Sequence, residues 1–283
     1  MTLASTTGEL VLEHVVARGP TCEVWKGRWG PSRREVAVKR LTTGAPVGAL
    51  RRLRHEAEVL GRLDHPGIVP LLDVVEPTGG APALVMAWAE AGSMADAVGI
   101  HGPLAPATAA LVVALAGDAV DAAHRAGVLH LDVKASNLLR SGRDGRLWVA
   151  DFGASRLADQ PGPAHAGTPG HVAPEVADGA PPSAAADVFG LGATLRELAG
   201  RLPPALAAVA ERATATRPAD RYLTAAGLAA ALRAVALGTH GPSRPLRSTG
   251  GSYGASAALA PATVELGPLE DGRRRRVSDR FRS

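Results

Sequence analysis

The hydrophobic pattern of the first third of the chain predicts an antiparallel sheet interrupted by one helix. Strands are indicated by alternating or continuous apolar residues, and a helix by apolar residues that recur every three or four positions. The helical pattern covers residues 47–63 and carries Glu56 and Glu58. The strand patterns cover residues 9–17, 23–29, 35–39, 71–76 and 82–87. This part of the chain is therefore predicted to be mostly β-structure.

Beyond these strands, up to residue 237, the chain has the longer apolar segments that are typical of helices. The helical patterns open at residue 92, lie within residues 103–125, begin at residue 187 and cover residues 224–237. The longest apolar stretch, residues 105–123, is broken by Asp118 and Asp121. We therefore predict a buried core helix there and expect no transmembrane segment.

Composition restricts the type of core and the compartment. Hydrophobic residues make up 46% of the 283 residues but aromatic residues only 3%, so aliphatic side chains must fill the core. The single cysteine, Cys22, excludes an internal disulfide and indicates a reducing environment. Residues 1–12 lack the basic start and the apolar run of a secretory signal. A cytoplasmic location is therefore expected.

The net charge of +4 comes entirely from the last segment of the chain. The residues before Gly238 hold equal numbers of acidic and basic side chains, so the charge does not indicate that the body binds nucleic acid. Residues 238–283 are rich in Gly, Ser, Pro and Ala, which predicts a disordered basic tail. Its arginine run is either solvated or a contact for an anionic partner (Arg273, Arg274, Arg275 and Arg276).

The densest polar cluster of the sequence lies between residues 130 and 153. Its polar side chains are Asp132, Lys134, Asn137 and Asp151. A predicted hairpin, with strands at 138–139 and 147–150 and a turn at 141–145, joins the two loops that carry them. Polar groups beside apolar strands are costly unless they hold a cation or a reacting group. The cluster is therefore a candidate active site.

Phosphoryl transfer accounts for these residue types. Asp132 can orient a substrate hydroxyl or accept its proton, and Lys134 can neutralise the moving phosphoryl group. Asn137 and Asp151 supply oxygen ligands for Mg²⁺, an ion that keeps several waters and needs few protein ligands.

The spacing Asp-x-Lys-x-x-Asn, followed by Asp-Phe-Gly, resembles that of the eukaryotic-type (Hanks-type) bacterial serine/threonine protein kinases. The resemblance covers residues 9–237 and implies an α+β, bilobal protein-kinase-like fold, with an N-lobe at residues 9–87 and a C-lobe at residues 88–237. It implies ATP with Mg²⁺ or Mn²⁺ as cofactors, and serine or threonine hydroxyls of proteins as acceptors. By the same match, Asp132 and Lys134 are catalytic, whereas Asn137 and Asp151 bind metal.

Two further motifs extend the resemblance. Lys39 ends a strand similar to the family's Val-Ala-Val-Lys strand, and the helix match pairs it with Glu56 rather than Glu58. Residues 167–175 are close to Gly-Thr-Pro-x-Tyr-x-Ala-Pro-Glu, which implies that Thr168 hydrogen-bonds Asp132 and Lys134. Two more contacts implied by the match are those of Asp187 with the catalytic-loop backbone and of Arg221 with Glu175.

The glycine-rich loop of the family is only partly present. Ala17, Gly19 and Cys22 occupy its three glycine positions, and the two side chains are expected to hold the backbone further from the phosphates. Met86 takes the gatekeeper position and residues 87–89 the hinge. The residues expected to bind ATP are Ala17, Gly19, Val24, Ala37, Lys39, Met86, Ala87, Ala89 and Leu139.

A second departure concerns regulation. Leu131 stands where the family usually has an arginine that pairs with a phosphorylated activation loop. Between Ala154 and Ala173 the only hydroxyl side chains are Ser155 and Thr168, and the match gives Thr168 a structural role. Activity is therefore expected not to depend on activation-loop phosphorylation. Hydroxyls of the tail are candidate autophosphorylation sites (Ser243, Ser248, Thr249, Ser252 and Ser256).

Two other functions are compatible with parts of this pattern. The weakened glycine loop leaves open a pseudokinase that binds nucleotide or serves as a scaffold, although all six expected polar residues of the site are present. A small-molecule phosphotransferase shares the spacing of the catalytic loop but lacks the Ala-Pro-Glu segment and its arginine partner. An active protein kinase is the interpretation that the sequence favours.

Overall fold

The computed structural model describes residues 2–5, 8–76, 80–142, 144–157 and 168–238. They belong to the first of two compact units, Met1–Leu246. The predicted basic tail, with its arginine run and its candidate phosphorylation sites, lies outside the described residues. A β-rich N-terminal part with one helix precedes a mostly helical part. This architecture confirms the α+β, bilobal fold class.

The N-lobe is built on a six-stranded antiparallel sheet with the strand order β1-β2-β3-β4-β6-β5. The strands are β1 (Thr2–Ser5), β2 (Gly8–Arg18), β3 (Cys22–Trp29), β4 (Arg34–Leu41), β5 (Leu71–Val75) and β6 (Ala83–Ala87). Five of them match the predicted strands. The sequence pattern does not predict β1, because four residues are too short to show a period and only pairing with β2 defines the strand.

Apolar side chains cover both faces of this sheet. One face carries a small separate core of Leu10, Val36, Val38 and Val85, against which Trp25 packs. The other face belongs to the main core of the protein and is partly covered by α1 (Val47–Arg62). The two cores are reached by alternate residues of β4, since Val36 and Val38 belong to the small core and Ala37 packs against the main core.

The C-lobe consists mainly of helices with two short ladders between them. The helices are α2 (Met94–His101), α3 (Pro106–Arg125), α4 (Pro174–Ala177), α5 (Ala184–Ala199), α6 (Pro204–Ala213) and α7 (Ala225–Ala236). The ladders pair β7 (Val128–Leu129) with β10 (Arg156–Leu157), and β8 (Leu138–Arg140) with β9 (Leu147–Val149). The second ladder is the hairpin that the sequence predicts around the polar cluster.

Three helices of the C-lobe differ from the sequence prediction, and one of them is the four-residue α4, which no apolar pattern predicts. Helix α5 begins at Ala184, three residues before the predicted start at Asp187, because the alanines that open it carry no apolar period. Helix α6 is not predicted at all. It begins at the second of two prolines, which mark a helix start, but half of its ten residues are alanine and only Leu206 and Val209 on its buried face are large apolar side chains.

Helix α3 is the centre of the C-lobe and packs against α5 and α7. Among the described residues it is the one helix whose length and composition would suffice to cross a membrane, and most of it is buried inside the protein. A Cβ atom at Gly117 would lie 3.1 Å from both the Ala225 carbonyl oxygen and the Ala229 Cβ. The missing side chain therefore lets α3 and α7 approach closely.

Candidate active site

The catalytic loop follows β7 and is tied to the Asp-Phe-Gly segment by a buried histidine. The backbone N–H of Asp132 donates to Nδ1 of His130 at 3.2 Å, so the other ring nitrogen carries the proton. Nε2 of His130 donates to the Ala150 carbonyl at 3.1 Å, and the ring meets Phe152 edge-on with centroids 4.6 Å apart. His130 therefore fixes the two polar loops relative to each other.

A buried carboxylate of α5 holds the backbone at the start of this loop. Asp187 accepts from the N–H groups of His130 at 2.8 Å and Leu131 at 2.6 Å, and from Nε2 of His124 at 2.7 Å. Burial acts to raise the pKa of Asp187, but the His124 hydrogen bond and nearby positive charge outweigh it and lower that pKa. Leu131 has φ of 66°, a left-handed conformation that the two bonds from Asp187 stabilise.

Asp132 lies at the centre of a group of hydrogen-bond donors. One carboxylate oxygen accepts from the Thr168 hydroxyl at 2.8 Å, and the other accepts from Nζ of Lys134 at 2.7 Å. Lys134 also donates to the Thr168 hydroxyl oxygen at 2.5 Å. Nδ2 of Asn137 donates to the Asp132 backbone carbonyl at 2.8 Å. These contacts fix the Asp132 carboxylate, which is the geometry a positioned base or hydroxyl-orienting group requires.

A buried lysine connects the N-lobe to the Asp-Phe-Gly segment. Nζ of Lys39 lies 2.6 and 2.8 Å from the two Glu56 carboxylate oxygens and 2.7 Å from Oδ1 of Asp151. Burial acts to lower the pKa of Lys39, but the charges of Glu56 and Asp151 outweigh it and raise that pKa. The lysine is therefore charged, and the neighbouring Glu58 is exposed on the other side of α1.

Two side-chain oxygens of the site, Oδ1 of Asn137 and Oδ2 of Asp151, take no part in the hydrogen bonds described so far. Nδ2 of Asn137 is engaged by Asp132, which leaves Oδ1 without a donor among the described residues. Oδ1 of Asp151 accepts from Lys39 and Gly153, which leaves Oδ2 without a partner in the described ranges, on a side chain that is 47% exposed. Amide and carboxylate oxygens are the ligands that Mg²⁺ prefers. No group of three or more His, Cys, Asp or Glu that could hold a metal occurs in the described part of the chain.

The register of the N-lobe sheet places most of the expected ATP-binding side chains on the face that carries Lys39. Val24 lies opposite both Ala17 and Lys39, and Ala37 lies opposite Met86, so these residues share one face. Ala87 is the buried last residue of β6, Ala89 is buried just after it, and Leu139 packs against the main core.

The loop between β2 and β3 turns tightly at its remaining glycine. The N–H of Gly19 donates to the Cys22 carbonyl at 2.8 Å, and a Cβ atom at Gly19 would come within 3.3 Å of that oxygen. The Cys22 side chain packs against the main core, and burial raises the pKa of its thiol. A thiol with a raised pKa carries little thiolate and serves here as a small apolar group.

Three side chains support the site although no sequence motif marks them. Glu197 of α5 accepts from the N–H of Ala135 at 3.0 Å and from Nε2 of His171 at 3.1 Å. His124 supports Asp187, as described above. Nε2 of His55 on α1 donates to the Ser155 carbonyl at 3.0 Å. Each contact joins residues far apart in the chain, so no local pattern could have indicated it.

A buried ion pair closes the segment that follows Thr168. Nη1 and Nη2 of Arg221 donate to the two Glu175 carboxylate oxygens at 2.7 and 2.6 Å. The guanidinium group is also bound by the carbonyls of Ala185, Ala215 and Thr216. The Arg221 side chain is 0% exposed and Glu175 16%, so the pair is shielded from water.

Comparisons with known proteins all indicate one family. A family model described as "Protein kinase domain" matches residues 10–221. The chain is similar to serine/threonine-protein kinase PkaA of Streptomyces coelicolor, with 37% identity over 69% of this chain and 39% of that protein. It is similar to serine/threonine-protein kinase PknK of Mycobacterium tuberculosis, with 38% identity over 71% of this chain and 21% of that protein. With PknD of M. tuberculosis the identity is 30% over 81% of this chain and 40% of that protein. The chain thus spans less than half the length of these relatives.

Proposed function

Because the chain belongs to the protein kinase family, and its relatives are bacterial serine/threonine kinases, we propose that it transfers the γ-phosphoryl group of ATP to serine or threonine hydroxyls of proteins. The observation that carries this proposal is the Asp132 carboxylate, held between the Lys134 ammonium and the Thr168 hydroxyl. The resemblance implies that a threonine in this position is a feature of serine/threonine kinases rather than of tyrosine kinases.

Different residues of the site act on the two reactants, which are the acceptor hydroxyl and ATP. Asp132 orients the acceptor hydroxyl and takes its proton as the new bond forms. Lys134 places positive charge beside the phosphoryl group while it is being transferred. Lys39, held by Glu56, binds the phosphates of the nucleotide that remain behind. Such a reaction needs mainly positioning and charge neutralisation, because its loose transition state involves little covalent chemistry by the protein.

The free oxygens of Asn137 and Asp151 fit a divalent cation. Both are hard ligands, and two protein ligands are enough for Mg²⁺ when phosphate oxygens and waters complete its shell. The cation, when bound with ATP, neutralises phosphate charge and orients the phosphates. Mn²⁺ takes the same oxygen ligands and is expected to replace Mg²⁺.

The test is transfer of label from γ-labelled ATP by the purified full chain to a generic protein acceptor and to itself. Wild type with Mg²⁺ is expected to place label on serine or threonine, and either Lys39→Ala or removal of the metal with EDTA is expected to abolish it. Phosphosite mapping also reports whether the tail is a target. No label in wild type, together with thermal stabilisation by Mg·ATP, would instead favour the nucleotide-binding pseudokinase.

We also propose that activity does not depend on phosphorylation of the activation segment. Two observations support this: Leu131 cannot bind a phosphate, and the Thr168 hydroxyl is already bound by Asp132 and Lys134. Ser155 is buried, and its hydroxyl lies 3.5 Å from His55.

Phosphatase treatment of the purified chain is therefore expected to leave its transfer rate within about twofold of the untreated rate, since a kinase that needs a phosphorylated loop loses an ordering contact on treatment. The initial rate on an added acceptor measures this, and mass spectrometry confirms that phosphate has been removed. Loss of activity together with a mapped phosphosite between residues 154 and 173 would refute the proposal.

A further inference from the structure

The outward side of α1 carries positive charge that the active site does not use. Arg51, Arg54 and Arg62 are exposed along this helix, and Arg52 is half-buried beside them. None of these four side chains forms a salt bridge or a hydrogen bond within the part of the chain that the structure describes. The single acidic residue on this side is Glu58, which is exposed and likewise has no partner there.

The two arginines nearest the start of the helix are placed unfavourably for it, whereas Arg62 in the last turn is placed favourably. Helix α1 starts after Pro46 without a side-chain cap, and no acidic residue lies in its first turn. The helix dipole makes this end positive, and Arg51 and Arg52 add positive charge close to it. A negative group bound from outside would relieve this repulsion and stabilise the helix.

Several other arginines of the folded body are bound by carboxylates, whereas Arg196, Arg201 and Arg217 of the C-lobe form no ion pair within the described residues. Arg28 is bound by Glu13 at 2.7 Å, and Arg221 by Glu175. The body as a whole has no net charge, since all of the excess lies beyond Gly238. Helix α1 places four arginines without a partner among the described residues within 12 positions, which concentrates positive charge on its outward side.

The size of this charged group favours a protein over a nucleic acid as its partner. From Arg51 to Arg62 the helix rises about 16 Å, which is the length of a few extended residues. Nucleic-acid sites usually neutralise more phosphates than three or four arginines can reach, and Glu58 would repel a continuous phosphate backbone. A short segment rich in Asp or Glu can place separate carboxylates on Arg51, Arg54 and Arg62.

We propose that the outward side of α1 is a docking surface for an acidic segment of a partner protein. Carboxylates of the partner would bind the arginines through charge-assisted hydrogen bonds. The opposite side of the same helix holds Glu56 against Lys39, and His55 ties the helix to Ser155. A docked segment therefore acts on the helix that positions the active-site lysine.

The experiment measures binding of a short fluorescent glutamate-rich peptide by anisotropy at low salt. The full chain is used with the four arginines of the tail's arginine run (residues 273–276) replaced by glutamine, so that this run does not bind the peptide. In this background, Arg51→Gln/Arg54→Gln/Arg62→Gln is expected to weaken binding about tenfold, because three ionic contacts are lost. Glu58→Gln is expected to tighten binding about twofold, because a repelling carboxylate is removed.

The matched control removes three exposed arginines from the C-lobe, Arg196→Gln/Arg201→Gln/Arg217→Gln. It changes the net charge equally and is expected to leave affinity within about twofold. Equal losses in both triple variants, or no binding by the parent, would overturn the proposal. So would tighter binding of a DNA duplex that depends on the same α1 arginines. If the α1 triple variant is unfolded under the assay conditions, the peptide affinity of Glu58→Gln tests the proposal instead, and unchanged or weaker binding by that variant overturns it. The assay contains no ATP, so its outcome is independent of the proposed function.

Discussion

Asp132→Asn is expected to lower the rate of phosphoryl transfer by about 10²- to 10⁴-fold while leaving ATP affinity nearly unchanged. An amide cannot take the proton of the acceptor hydroxyl. It also introduces an N–H₂ group that meets a donor in either orientation, because one Asp132 oxygen faces Lys134 and Asn137 and the other faces the backbone N–H of Thr168. Lys39, Asn137 and Asp151 remain in place to bind the nucleotide.

Single-turnover transfer at saturating Mg·ATP measures the chemical step, and displacement of a fluorescent nucleotide measures affinity. Asp178→Asn, the same chemical change at an exposed carboxylate outside the site, serves as the control and is expected to match wild type. Retained turnover in Asp132→Asn would show that this carboxylate does not serve the acceptor. A parallel loss of ATP affinity would place its role on the nucleotide side instead.

Arg221→Met is expected to lower the free energy of unfolding by about 3–5 kcal/mol, because it removes one partner of a buried ion pair. The variant leaves Glu175 charged in a shielded site and deprives three backbone carbonyls of their donor. Urea denaturation followed by circular dichroism measures the change.

Two comparisons identify the cause of that loss. Arg233→Met breaks an ion pair with Asp118 whose side chains are 36% and 39% exposed, and it is expected to cost about 1 kcal/mol or less. Arg221→Met combined with Glu175→Gln removes both charges of the buried pair and is expected to recover part of the loss. A cost for Arg221→Met as small as that for Arg233→Met would contradict a role for burial.

Leu131 lacks the side chain that is usual in the family and also has an unusual backbone conformation, and these two features have separate causes. In the sequence, this position matters because the missing arginine removes a receptor for phosphate. In the structure, its backbone is left-handed and is held by Asp187, which lies 56 positions away. The conformation of the loop therefore depends on the backbone and on α5, so it does not require the arginine side chain.

The elements of the fold could be predicted where their apolar period is long enough. Five strands of the N-lobe, α1 and the core helix α3 follow from local apolar patterns, and the hairpin of β8 and β9 follows from the turn residues between its two apolar runs. Strand β1 and helix α6 could not be predicted in this way, because the four residues of β1 do not alternate and α6 has only two large apolar side chains, Leu206 and Val209, among its alanines. Pairing with β2 and packing against α5 define them.

The sequence by itself determined the fold class, the family and the residue types of the candidate site. These depend on local spacing, such as the catalytic loop and the Asp-Phe-Gly segment on either side of one hairpin. The tertiary structure alone decided which groups meet. Lys39 reaches Glu56 across 17 positions and Asp151 across 112 positions, and Glu197 reaches Ala135 across 62. Contacts of this kind arise from the packing of separate elements against a shared core, and no pattern within a single element can specify them.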